Sequence, residues 1–84
     1  MANTQQPMVT PAALGASLAA QRKALGYTQG QTAALVGLNT KTISHLENHP
    51  QKASVDTLFK VLAALNLQLA LQQRATGHTA QGEW

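Results

Sequence analysis

The stretch YTQGQTAALVGLNTKTISHLEN, Tyr27 to Asn48, constrains the chain more than any other. Thr28 carries the short hydroxyl side chain that caps a helix N-terminus, and Gly37 supplies the left-handed backbone at which a helix stops abruptly. Between them the sequence predicts a helix from Gln29 to Val36 that turns Ala33, Leu35 and Val36 toward a core. Asn39 then caps a second helix. Its Ile43 and Leu46, three residues apart, fall on one side, while Thr40, Lys41, Thr42 and Ser44 keep its first turn polar. One side packs and the other is free to touch something.

Two helices, a glycine turn and a polar exposed face are the parts of a helix-turn-helix, although a plain helical hairpin within a bundle shares them. The flanking sequence supplies more helices. Thr10-Pro11 is a cap followed by proline at the first helical position, and Leu14, Leu18 and Leu25 form a buried stripe as far as Gly26. After the loop HPQKAS, Ser54 caps a fourth helix whose apolar face is Val55, Leu58, Val61, Leu62 and Leu65, with Phe59 adding bulk. Asn66 is suited to a left-handed C-cap. Arg22 and Lys23 on the last turn of the first helix complement its dipole.

The period changes at Leu67. LQLALQQ, residues 67 to 73, alternates apolar and polar with Leu67, Leu69 and Leu71 on one side, which is a strand signal. No other segment reads as a strand, so the expected partner is the same strand of a second chain, in an antiparallel ribbon that makes a homodimer. The alternative is that the fourth helix continues through Leu71, because Ala, Leu and Gln are good helix formers. Residues 1–9 are expected to be a flexible arm, 10–66 a helical domain, 67–73 the dimerisation strand and 74–84 a flexible tail ending in Trp84.

Composition limits what such a chain can do. Its 84 residues give one domain with a modest core, which must be aliphatic because Tyr27, Phe59 and Trp84 are the only aromatic residues. Absence of cysteine excludes disulfides and thiolate metal sites. No apolar run approaches the roughly 18 to 20 residues of a membrane span, and MANTQQPMVT has neither the charge nor the apolar block of a signal peptide. A cytoplasmic chain is expected. The net charge of +3 suits an anionic partner, but it arises from six cations against three anions. Tight DNA binding would therefore need two copies, or many hydrogen bonds from Gln, Asn, Thr and Ser to phosphates.

His45 and His49 have the i, i+4 spacing of metal ligands, but no third ligand is evident and Pro50 frays the helix at His49. No metal or other cofactor is expected. A DNA-facing His45 would make binding tighten on acidification. Scattered acids and histidines, with no cysteine and no phosphate-binding glycine loop, argue against an enzyme.

The spacing of Gln29, Ala33, Gly37, Ile43 and Glu47 resembles that of the Cro/repressor (XRE-type) helix-turn-helix family, which often pairs the acid matching Glu47 with an arginine matching Arg22. This implies a mainly α, four-helix repressor-like domain and a structural ion pair between Arg22 and Glu47. With the leucine-bearing strand and the terminal Glu83-Trp84, the whole is similar to the HipB-type antitoxins. The resemblance implies a homodimer on a palindromic operator of its own operon, nucleoid-associated when bound, that neutralises a HipA-type serine/threonine kinase toxin. It implies DNA contacts from Gln29, Asn39, Thr40, Lys41, Ser44 and His45, with Gln29 at phosphate, and entry of Trp84 into a toxin pocket. A stand-alone phage-type regulator without a toxin is the competing reading.

Overall fold

The structure is a computed structural model that describes residues 10–73. The arm at 1–9 and the tail at 74–84, with the expectations placed on them and on Trp84, lie outside the described residues. Four helices follow in order, α1 (Pro11–Ala24), α2 (Gln29–Leu35), α3 (Thr40–Asn48) and α4 (Val55–Ala64), with one 3₁₀ turn at Pro50–Lys52.

Each helix starts on a side chain that satisfies one of its free N–H groups. Thr10, Thr28, Asn39 and Ser54 accept from the amides of Ala13, Gln31, Thr42 and Thr57. At α2 the cap is reciprocal, because Gln31 Oε1 accepts from the Thr28 amide at 2.8 Å. The turn between α2 and α3 depends on Gly37, whose φ of 72° an L side chain rarely adopts. Asn66, with φ 60°, closes α4 in the same way.

The core is formed by Leu18 from α1, Ala33 from α2, Ile43 and Leu46 from α3, and Val61, Leu62 and Leu65 at the end of α4. Leu14, Tyr27, Leu38, Ala53, Leu58 and Leu67 pack around it. Several apolar residues expected inside are not there. Leu25 is the C-cap of α1, where the chain reverses, and it stays exposed. Leu35 is exposed because it lies about 200° round the helix from Ala33, at roughly 100° per residue. Buried Thr32 takes its place and donates its hydroxyl to the Thr28 carbonyl at 3.0 Å. Val36 is the C-cap of α2 and only half-buried. Val55 and Phe59 share a side of α4 that the other helices leave uncovered.

Helix α4 ends at Ala64 with Leu65 as its C-cap, so its continuation through Leu71 does not occur. Among the described residues there is no strand within the chain. Leu67 returns to the core, whereas Leu71 is 92% exposed.

Candidate nucleic-acid interface

The polar face of α3 is held outward by everything behind it. Ile43 and Leu46 are fully buried, so the helix cannot roll without drawing apolar area into water. Glu47, one residue further on, fixes the rotation. Its Oε2 accepts from Arg22 Nε at 2.6 Å and its Oε1 from Arg22 Nη2 at 3.2 Å, a two-point pairing of planar groups. Arg22 Nη1 also donates to the Tyr27 carbonyl at 2.9 Å, and Gln29 Nε2 donates to Glu47 Oε1 at 3.0 Å. One carboxylate thus ties α3 to α1 and to the start of α2.

The Arg22 and Glu47 side chains are only 10% and 8% exposed. Hydrogen bonding to Glu47 raises the Arg22 guanidinium above its ordinary value; burial works against this, and attraction to the carboxylate charge adds to it. Arg22 therefore remains charged throughout any physiological range.

Two features that periodicity does not reveal bring the helices this close. Gly15, in the middle of α1, is buried where the backbone of α3 crosses: an added Cβ would collide with the Glu47 carbonyl oxygen and lie 3.2 Å from Pro50 Cγ. Gln21 crosses from α1 to α4, donating to the Leu65 carbonyl at 3.0 Å and so satisfying an orphan group at that helix end.

On the outer side, Asn39, Thr40, Lys41 and His45 are exposed and Ser44 is half-buried. Asn39 spends its side-chain oxygen on the cap, accepting from the Thr42 amide at 2.8 Å and from the Thr42 hydroxyl at 2.9 Å. Asn48, which the sequence reading left unassigned, closes this face by donating to the Ser44 carbonyl at 2.9 Å. Gln29 sits at the head of α2 with its amide nitrogen turned inward to Glu47. The heads of α2 and α3 are neighbours, since a Cβ on Gly30 would come within 3.3 Å of Thr40 Oγ1.

This surface offers a hydrogen-bonding lysine, hydroxyls and an imidazole on a rigid helix of suitable size for a DNA major groove. Among the described residues no three His, Asp or Glu side chains gather as metal ligands would, and no helix is long and apolar enough to cross a membrane.

Comparison with known proteins agrees with the geometry. The helix-turn-helix family model matches residues 18–72. Antitoxin HipB of Escherichia coli O6:H1 is 35% identical over 66 residues, covering 79% of this chain and 70% of that protein. Antitoxin HipB of Escherichia coli K12 is 33% identical over 66 residues, covering 79% and 75%. Among solved structures, a HipA-HipB-O2-O3 complex contains a chain that is 32% identical and aligns with a TM-score of 0.79, covering 82% of this chain and 97% of that one. A HipB-O4 20mer complex aligns with the same TM-score and identity over the same shares. An interior built around one buried Arg–Glu pair, a capped and exposed α3 and this similarity over most of both chains lead to one conclusion: the chain belongs to the helix-turn-helix family and, within it, to the HipB antitoxins.

Proposed function

We propose that this chain is the DNA-binding antitoxin of a toxin–antitoxin operon, which represses that operon from a palindromic operator and neutralises a HipA-type serine/threonine kinase toxin. The observation that carries the DNA reading is α3 itself, anchored behind by Ile43, Leu46 and Glu47 while Thr40, Lys41 and His45 face outward. The relatives support the toxin reading, because one related solved structure joins HipB with HipA. The protein acts by binding, and no catalytic step is assigned to it.

In this reading α3 enters the major groove with its N-terminal residues nearest the base edges. Lys41 meets guanine acceptors, Thr40 and Ser44 bond adaptably, and Asn39 offers the amide nitrogen that its cap leaves free. Gln29 braces Glu47 and presents its remaining amide edge to a phosphate beside the head of α2. Leu67, Leu69 and Leu71 supply the apolar side of a strand that pairs with its copy in a second chain, giving the twofold symmetry that a palindrome requires. Such pairing would cover Leu69 and Leu71 and occupy a backbone edge that has no ladder among the described residues.

Lys41→Ala is expected to weaken binding to the specific duplex by about 1 to 3 kcal/mol and to leave the dimer intact, as read by anisotropy titration and sedimentation. Wild-type binding that fails to distinguish operator from scrambled DNA would overturn the assignment of α3.

The toxin contact has its own test, a pull-down from the native host with the tag at the N-terminus. A kinase-like protein is expected with the full chain and is expected to be lost when Glu83 and Trp84 are removed. Retention by the shortened chain would place the contact on the dimer body. Recovery of DNA without any kinase would favour a stand-alone regulator.

A further inference from the structure

Asn48 is the last residue of α3 and follows Ser44 by one helical turn. Its Nδ2 lies 2.9 Å from the Ser44 carbonyl oxygen and 3.4 Å from the Ser44 hydroxyl oxygen. We propose that Asn48 is a positioning residue for base readout: by donating to the Ser44 hydroxyl it leaves that hydroxyl to meet DNA as a hydrogen-bond donor, so that the chain selects an acceptor base edge at the Ser44 position. The proposal deepens the DNA-binding reading above and rests on it.

The backbone carbonyl fixes the direction of both bonds. A carbonyl oxygen only accepts, so the amide atom 2.9 Å from it is the nitrogen and not the side-chain oxygen. That nitrogen carries two protons, one for the carbonyl and one for Oγ. A serine hydroxyl has one proton and two lone pairs, and the bond from Asn48 occupies a lone pair. The usual acceptor for a serine proton inside a helix is the carbonyl four residues back, here that of Thr40. Among the described residues neither that carbonyl nor any other group accepts it. The proton is left for a partner. Thr42 shows the opposite polarity, because its hydroxyl gives its proton to Asn39 Oδ1 at 2.9 Å.

Ser44 lies four residues after Thr40 and three after Lys41, so it shares their side of the helix. A hydroxyl free to rotate serves donor and acceptor edges alike; one whose lone pair is taken does not. In the major groove guanine presents N7 and O6 and thymine O4 as acceptors, whereas cytosine presents only an amino donor. Ser44 therefore favours guanine or thymine over cytosine, and the adaptable serine of the DNA-binding reading becomes a selective one. Asn48 is exposed at the opposite end of α3 from the residues nearest the bases, so it acts through Ser44 rather than on a base itself.

The test is an anisotropy titration of the full chain on a duplex that it selects from a random-sequence pool, on a scrambled duplex, and on a set in which each base pair of the selected half-site is permuted in turn. Ser44→Ala is expected to erase a preference of about threefold to tenfold at one position of the half-site, which identifies the base that Ser44 meets. At that position the wild type is expected to favour guanine or thymine. Asn48→Ala, which frees the hydroxyl to rotate, is expected to reduce the same preference to about twofold or less and to leave the other positions as they were. Asn48→Asp, whose carboxylate accepts the hydroxyl proton, is expected to turn the preference toward cytosine, whatever its added charge does to affinity at large. Adding Asn48→Ala to Ser44→Ala is expected to change nothing further at that position. Asn48 is exposed, and unchanged melting midpoints will show that the fold survives. Retention of the wild-type preference by either Asn48 variant overturns the proposal, including the case in which Asn48→Ala weakens every duplex alike as loss of a phosphate contact would. It is overturned too if Ser44→Ala keeps the wild-type preference at every position. If the wild type does not distinguish the selected duplex from the scrambled one, the functional reading itself fails.

Discussion

Gly15→Ala is expected to lower the unfolding free energy by about 3 kcal/mol, although alanine is the better helix former by about 1 kcal/mol. The added methyl would strike the Glu47 carbonyl oxygen, lie 3.1 Å from its carbonyl carbon and meet Pro50 Cγ at 3.2 Å. Backbone in a helix cannot swing aside as the end of a side chain can. Relief would require α1 and α3 to separate, which would loosen the contacts of Leu18 with Ile43 and Leu46 and lengthen the Arg22–Glu47 pair. For a domain of this size, about 3 kcal/mol corresponds to a fall of roughly 12 to 24 °C in melting midpoint, readable by circular dichroism. An unchanged midpoint would mean that the two helices do not meet at Gly15.

Gly15 meets atoms of Glu47 and Pro50, more than 30 residues away, and nothing in its own neighbourhood along the chain records that approach. Caps at Thr10, Thr28, Asn39 and Ser54, and the left-handed residues Gly37 and Asn66, were legible because each depends on its own few neighbours. Ile43, Leu46, Val61 and Leu65 were legible because a helical stripe records which side faces inward. Leu25, Leu35 and Phe59 were misplaced for the complementary reason, that apolar character alone does not say whether another helix reaches that far. Gly15, Gln21 and the inward turn of Gln29 left no periodic trace. Their partners lie on other helices, 44 residues away for Gln21 and 18 for Gln29, and a close tertiary approach has no local signature. On the candidate interface, the outward residues of α3 could be read from its pattern; the groove beside α3 could not, because it is assembled from α3, the 3₁₀ turn and the start of α4 together.

Glu47→Leu is expected to destabilise the chain by about 3 to 5 kcal/mol, through the charge it leaves behind rather than through lost attraction alone. Arg22 would remain with a buried guanidinium, still bonded to the Tyr27 carbonyl but with Nε and Nη2 unpaired, and Gln29 would lose its acceptor. Because the native environment raises the Arg22 value, its protonated form is the favoured one in the fold, and that contribution fades only as pH rises through the guanidinium range. Changing pH between about 5 and 9 cannot neutralise the stranded cation. Arg22→Met alone is expected to cost somewhat less, since the Gln29 amide still serves the Glu47 carboxylate. Combining the two substitutions replaces a buried ion pair by apolar groups of similar volume, and the double variant is expected to be more stable than Glu47→Leu by about 1 to 3 kcal/mol. Urea denaturation of the four proteins closes the cycle. Additive losses would show that Arg22 and Glu47 act independently and would remove the pair as the lock on α3. A rescued fold that binds its selected duplex poorly would separate two duties of the carboxylate: stabilising the helix pair, which leucine can replace, and setting the rotation of α3 through Gln29 and Arg22, which it cannot.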